Sequence, residues 1–351
     1  MNRLLSNRVG RSSRVWCLVV SLLFVLLISG CQKEPIPLHS LSGKTMGTVY
    51  DVKIASSDSL DLAELQTAID NLLEGINERM STYDPDSLLS QFNAAENTEW
   101  FDVTPDVASL VTAAHRVSKD TSGAYDVTLG TVVDLWGFGT DMSVTEKPAL
   151  DLILDEMYNV GHQLLVVSRD QRQLRKLVPN LKVDLSSIAK GYAVDEIGTL
   201  LEQRGHNRYV VEIGGELRTR GQSAKHKPWT IAIESPDTLV NPDSFNSIVV
   251  ENSHIATSGD YRNYREVDGK RFSHILDGRS GYPIEHNLAS VTVLHGSTMQ
   301  ADAWATAFMV LGPDETLKIA ESSGLPVSLI VREGEGFVTR NSTAFNAYLS
   351  K

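Results

Sequence analysis

Asp302 and Thr306 stand four residues apart in the apolar run "ADAWATAFMVLG", residues 301–312. At 3.6 residues per turn, that spacing sets both on one helical face, about 40° apart. A carboxylate and a hydroxyl so placed can share a hard cation such as Mg²⁺, which prefers oxygen ligands and shares its shell with substrate phosphates. The pair also has a helix-start reading. Asp302 would complement the dipole in the first turn, and Thr306 would bond back to the preceding turn. Sequence alone leaves both open.

A second stretch, "VDLSSIAKGYAVDEIG" (183–198), predicts that Asp184 closes a strand and that small residues lead to Lys190 and Gly191 at a helix start. The free amides of such a start suit an anion, and Lys190 adds a point charge. The glycine-rich Walker spacing is absent. His274, in the strand-like "RFSHILD" (271–277), reads by itself as a structural or surface imidazole. Gly214-Gly215 could let a ligand approach closely or could form a tight strand turn.

These residues need elements to hold them. Apolar spacing predicts helices over 61–80, from Thr104-Pro105, from near Ser187 to Gln203, and from near Ser297 to Gly312-Pro313. A short helix should follow to Ser323. Strand-like runs include "TVYDVKIA", "QLLVVS", "RYVVEI", "WTIAIE", "SIVV", "RFSHIL", "ASVTVL" and "VSLIV". Strands come in blocks as well as alternating with helices, which favours α+β with largely antiparallel sheets over a doubly wound parallel sheet.

The 351-residue chain carries a net charge of −12. That balance argues against nucleic acid, because no basic surface would neutralise phosphates. The leader is different: "MNRLLSNRVGRSSR" holds four Arg and no acid, and the apolar run Val15 to Ile28 follows. This is the pattern of a secretory signal over residues 1–30, with an apolar run short for a spanning helix. "LISGC" (27–31) resembles the lipobox of bacterial lipoproteins, which would make Cys31 the lipidated first residue. A plain signal anchor, with Cys31 an ordinary thiol, is the alternative. Without the leader, 28 basic residues face 44 acidic ones, a net −16. Cys17 and Cys31 are the only cysteines, so a lipidated mature chain has neither a disulfide nor a free thiol, and any metal site must use oxygen or imidazole. Residues 31–43 read as a polar, Pro-containing tether, and 44–351 as one catalytic unit with two lobes.

Taken together, "DLSSIAKGYAVD", "SHILDGRSGYP" and "ADAWATAFMVLG" resemble the ApbE family of flavin transferases. "MGT" (46–48), "MSTYDPDSLLSQFN" (80–93), "GAYDVTLG" (123–130), "LWGFG" (135–139) and "VVEIGGELRTRG" (210–221) add to the likeness, which runs from about residue 42 to 345. The resemblance implies an ApbE-type, T-fold-like α+β unit with mainly antiparallel sheets flanked by helices. It implies a metal, Mg²⁺, held by Asp302, Thr306 and the main-chain carbonyl of Ser187. It implies FAD contacts at Met46, Tyr83, Ala124, Tyr125, Asp126, Asp184, Lys190 and Ile275, and a catalytic base at His274. The implied reaction moves FMN from FAD to a threonine hydroxyl of an acceptor protein and releases AMP, so FAD is a substrate. Acceptors would be subunits of the sodium-translocating NADH:quinone reductase or of the Rnf complex. The setting would be the periplasmic face of a membrane, inner in preference to outer, with the lipid on Cys31. Ser187 departs from the family's usual Ala, and Gly278 from its frequent Pro, which is expected to loosen that turn. Two rivals stay open: Mg²⁺-dependent hydrolysis of FAD to FMN and AMP, and a lipid-anchored FAD-binding protein.

Overall fold

A computed structural model of the chain describes residues 34–140, 146–233, 246–260, 264–267 and 269–349. The leader and Cys31 lie outside them, so the structure does not bear on the anchor. Among the described residues, no helix is long and apolar enough to cross a membrane.

Eight strands form one sheet: β1 (Leu38–Thr45), β2 (Thr48–Ala55), β3 (Tyr209–Ile213), β4 (Glu216–Arg220), β5 (Ser253–Gly259), β6 (Leu288–His295), β7 (Val327–Glu333) and β8 (Gly336–Asn341). They lie side by side in chain order, and every neighbouring pair is antiparallel. The architecture is α+β, as the mixture of strand blocks and helices predicts. Strand β1 shortens the expected tether. Residues 38–43 pair with β2, and only every other side chain of β1 turns inward. An edge strand with one wet side keeps a polar sequence, which is why this stretch reads as a linker.

The helices are α1 (Leu62–Met80), α2 (Leu88–Ala94), α3 (Pro105–Asp120), α4 (Gly130–Leu135), α5 (Leu150–Met157), α6 (Ala189–Gln203), α7 (Thr298–Leu311) and α8 (Pro313–Ser323). The Asp61 side chain accepts the Glu64 amide at 3.0 Å and starts α1. Ser297 starts α7 in the same way, and Gly312 ends it at φ 77°. Ten of the 14 residues of α7 are buried, so this helix lies inside the protein rather than on it. It crosses α6 and covers β5 and β6. Strand β6 is accordingly buried on both faces, which explains its near-continuous apolar run. The opposite face of the sheet is closed by the Trp229–Ile233 and Asn246–Val250 hairpin, with Phe345.

Two strand expectations change. "RFSHILD" is not one strand: Lys270–Ser273 ends before His274, and Leu276–Asp277 starts a separate short hairpin. The Ile275 amide bonds the Ser273 hydroxyl at 3.2 Å, a local turn that takes His274 out of any ladder. Asp184 closes no strand either; Lys182 makes a single parallel bridge to Leu129.

Candidate active site

The floor of the site is the crossing of α6 and α7. A Cβ on Gly191 would lie 2.3 Å from the Thr298 carbonyl oxygen and 2.8 Å from Asp302 Cβ, so only glycine lets these helices approach this closely. The Gly191 amide, in the first turn of α6, donates to Asp302 Oδ2 at 2.9 Å. The anion at the start of α6 is therefore the chain's own Asp302. Asp302 sits one turn inside α7 and reaches across to another helix, so the helix-start reading does not describe it. Asp195 of α6 clamps the same crossing, accepting the Thr298 and Met299 amides at 3.1 and 3.0 Å.

Asp302 is 1% exposed, and its other oxygen lies 3.8 Å from Lys190 Nζ. That ammonium is 3.4 Å from Glu216 Oε1, on a side chain 2% exposed. Glu216 Oε2 has no hydrogen-bond partner. Two buried carboxyl groups thus share one ammonium, a surplus of one negative charge when both are ionised. Burial pushes both carboxyl groups above their ordinary range, and Lys190 opposes the rise. For Lys190 itself burial disfavours the charge, but Asp302 and Glu216 outweigh it and hold the ammonium protonated. Among the described residues no cage of three His, Cys, Asp or Glu side chains exists. The surplus charge, the unpartnered Glu216 oxygen and the nearby hydroxyls of Thr306 and Ser258, 3.5 Å apart, nonetheless fit a hard, oxygen-seeking cation.

Above this floor opens a cavity of about 720 Å³, a size suited to a small organic ligand. Tyr125, Asp126, Asp184, Ser187, Lys190, Glu216, His274, Ile275 and Thr306 line it. The rim of the sheet supplies Gly214-Gly215, the β3–β4 turn, with φ values of 59° and 110°. The pair is a tight turn, and it borders the cavity. Met46 occupies the β1–β2 turn beside it at φ 48°, and a Cβ on Gly214 would come within 3.0 Å of the Thr48 side chain.

Among the predicted flavin, metal and base positions, Met46, Tyr83, Ala124 and Asp302 do not line the cavity; the others do, held by different means. Ser187 Oγ donates to the Tyr125 hydroxyl at 2.9 Å, so the departure from Ala ties two walls together. Burial pushes the Tyr125 phenol well up, keeping it neutral. Asp184 accepts the Ser186 amide at 2.8 Å, and burial raises its carboxyl too. Asp126 is committed internally, accepting the Thr128 amide and hydroxyl at 2.9 and 2.7 Å and the His162 amide at 2.7 Å. Its carboxylate braces the loop that carries Ala124 and Tyr125. Gly278 does not loosen its turn: its amide donates to the Ala124 carbonyl at 3.0 Å, and the absent Cβ leaves room for the Gly123 carbonyl. At the mouth, the Phe138 ring meets the His274 imidazole edge-on at 6.4 Å. The Phe138 carbonyl accepts from the Tyr83 hydroxyl at 3.3 Å. Tyr83 is 64% exposed and stands outside the wall proper.

The profile of the ApbE family matches residues 46–329. The chain belongs to the ApbE family. It is 42% identical over 334 residues to the FAD:protein FMN transferase of Haemophilus influenzae, covering 93% of this chain and 96% of that one. The Escherichia coli K12 protein of the same name is 40% identical over 347 residues, covering 96% and 97%. Among solved structures, the flavin transferase ApbE from Vibrio cholerae superposes with a TM-score of 0.83 at 40% identity, over 90% of this chain and all of that one.

Against this ApbE-family frame, sequence reading missed Glu216 and Phe138 and gave Gly191 no structural part. Glu216 follows a glycine pair in a short, mixed strand, and nothing local marks its carboxylate as buried. Gly191 had a signal: glycine three residues into a helix costs stability unless close approach requires it.

Proposed function

We propose that this ApbE-family enzyme transfers FMN from FAD to a threonine hydroxyl of an acceptor protein and releases AMP. The observation that carries the reading is that Lys190, Thr306 and His274 line one ligand-sized cavity, with Asp302 buried behind it, 3.8 Å from Lys190. Asp302, Thr306 and the Ser187 carbonyl would hold Mg²⁺. Bound there, Mg²⁺ would neutralise charge developing on the FAD pyrophosphate. Lys190 adds a fixed positive charge beside it. His274 takes the proton of the attacking hydroxyl. A bond forms from the threonine oxygen to the FMN-side phosphorus, the pyrophosphate bond breaks, and AMP leaves with the bridging oxygen. Met46, Tyr83, Ala124, Tyr125, Asp126, Asp184 and Ile275 would hold the dinucleotide, Asp126 through the main chain it braces. We assign the lipid anchor to Cys31 and the protein to the periplasmic face of a membrane. The acceptors would be subunits of the sodium-translocating NADH:quinone reductase or Rnf complex. An acyl mass on a mature N-terminal Cys31 is the expected result; an unmodified N-terminus refutes the anchor.

Hydrolysis of FAD, with water in place of the threonine hydroxyl, is the second reading, compatible with a Tyr83 that is 64% exposed. One assay separates the possibilities. The full chain in detergent is mixed with FAD, Mg²⁺ and a candidate acceptor. Covalent flavin on the acceptor supports transfer. FMN and AMP without labelled acceptor indicate hydrolysis. Unchanged FAD indicates a binding protein. His274→Ala should lower transfer by roughly 10²–10⁴, the usual worth of a general base, with FAD affinity little changed. Weak FAD binding with normal transfer at saturation would make His274 a binding residue instead.

A further inference from the structure

Lys190 is a single ammonium between two buried carboxylates, and it sits nearer Glu216 (3.4 Å) than Asp302 (3.8 Å). Asp302 Oδ2 is held by the Gly191 amide, which leaves Oδ1, the oxygen facing Lys190, for a cation. A dication arriving at Oδ1 would stand within a few ångströms of the ammonium and repel it. Expelling Lys190 to water would remove the positive charge that the pyrophosphate should meet. Glu216 offers the alternative. One of its oxygens already faces Lys190, and the other is buried without a partner.

We propose that Lys190 stands in for the metal at Asp302 before the metal binds, and that Glu216 is the positioning residue that receives Lys190 when the metal displaces it. This rests on the reading of Asp302 and Thr306 as metal ligands. Charge counting supports it. With both carboxyls ionised, Asp302, Glu216 and Lys190 sum to −1, which attracts a dication; with the dication the cluster becomes +1, which attracts a diphosphate. Without Glu216 the same count before metal binding is zero, and the pull on the metal is lost. Lys190 is then a competitor of the metal and a partner of the dinucleotide, two roles of opposite sign.

That opposition is the test. Mn²⁺ binding to the full chain in detergent is measured from the free-ion electron paramagnetic resonance signal, with and without FAD. Glu216→Gln should weaken Mn²⁺ binding at least about tenfold, since a charge is removed a few ångströms from the metal in a low-dielectric site. Glu216→Asp keeps the charge, should fold where Gln does not, and should fall between the two. Lys190→Met should tighten Mn²⁺ binding several-fold without FAD while weakening FAD itself. Glu315→Gln, the same charge change on the surface of α8, should leave Mn²⁺ affinity as it is. Equal Mn²⁺ affinity in wild type and both Glu216 variants overturns the role of Glu216. Weaker Mn²⁺ binding in Lys190→Met overturns the stand-in. If wild type binds no Mn²⁺ even with FAD present, the metal reading falls and takes this inference with it.

Discussion

Two lysines of this chain reach into the interior, and they find opposite surroundings. Lys176, at the end of the strand Gln173–Lys176, is 1% exposed and donates to the carbonyls of Asn93, Ala95 and Pro179 at 2.9, 3.0 and 3.4 Å. Its ammonium also lies 5.0 Å from the centre of the Phe92 ring. No carboxylate touches it. Burial, with Lys182 adding, pushes its pKa down to about 8. Lys190 has two carboxylates beside a single carbonyl, that of Ser186 at 3.5 Å, and its pKa goes up. The first arrangement is complete: neutral dipoles around the C-terminus of α2 receive one cation, and nothing further is needed. The second sets two carboxyl groups against one ammonium, the imbalance on which the proposed cation site rests. Buried charge therefore marks a site when its partners leave a surplus, and marks architecture when they do not.

The largest expected effect breaks the comparison at its charged end. Asp302→Ala should lower Mg²⁺-dependent transfer by about 10³-fold or more, the rate equivalent of losing several kcal/mol of metal-borne stabilisation. Lys190 keeps Glu216 as a partner, so the variant should stay folded. Thr306→Ala should cost less, about tenfold, because water can replace a neutral ligand. Normal turnover of Asp302→Ala at ordinary Mg²⁺ would remove the distinction between the two lysines.

Lys176→Met tests the other end. It leaves three main-chain oxygens without their donor and should lower unfolding stability by about 2–4 kcal/mol. Turnover per folded molecule should be unchanged, and Mg²⁺ should not restore the loss. Denaturant melts with and without Mg²⁺ read both. A Lys176→Met protein that melts like wild type but fails in transfer would make Lys176 a functional residue.

A third effect is in pH. The folded pKa of Lys176, about 8, lies below its ordinary 10.5. Between these values the unfolded chain binds more protons than the folded one, so stability rises with pH across that window. Below pH 8 the full cost of burying the charge is present; above 10.5 it is gone. The stability difference between wild type and Lys176→Met should therefore widen from pH 8 toward 10.5. A difference that narrows there would mean the three carbonyls favour the charged form more than burial opposes it.

Much of the helical frame was readable because its signals are local. Asp61 caps α1 from the position before its first residue, Pro105 opens α3, and the Gly312-Pro313 pair separates α7 from α8. Strand β1 was hidden, since an edge strand with polar alternate residues has the composition of a linker. His274 was placed in a strand because its neighbours are apolar, and the Ser273 hydroxyl that bends the chain there carries no weight in a periodicity count.

For the site, the sequence by itself determined the ligand types and part of their spacing. Asp302 and Thr306 share a helical face because four residues make just over one turn, and the ordered ApbE-family motifs identified the remaining candidates. Tertiary structure decided what those groups meet. Asp302 is bound by the Gly191 amide 111 positions away in the chain, and Lys190 is divided between Asp302 and a strand residue, Glu216, that no local pattern distinguishes. The balance of one ammonium against two carboxylates exists only after α6 and α7 cross beneath the β3–β4 turn. Charge is a property of each residue, but surplus charge is a property of distances, and the fold sets those.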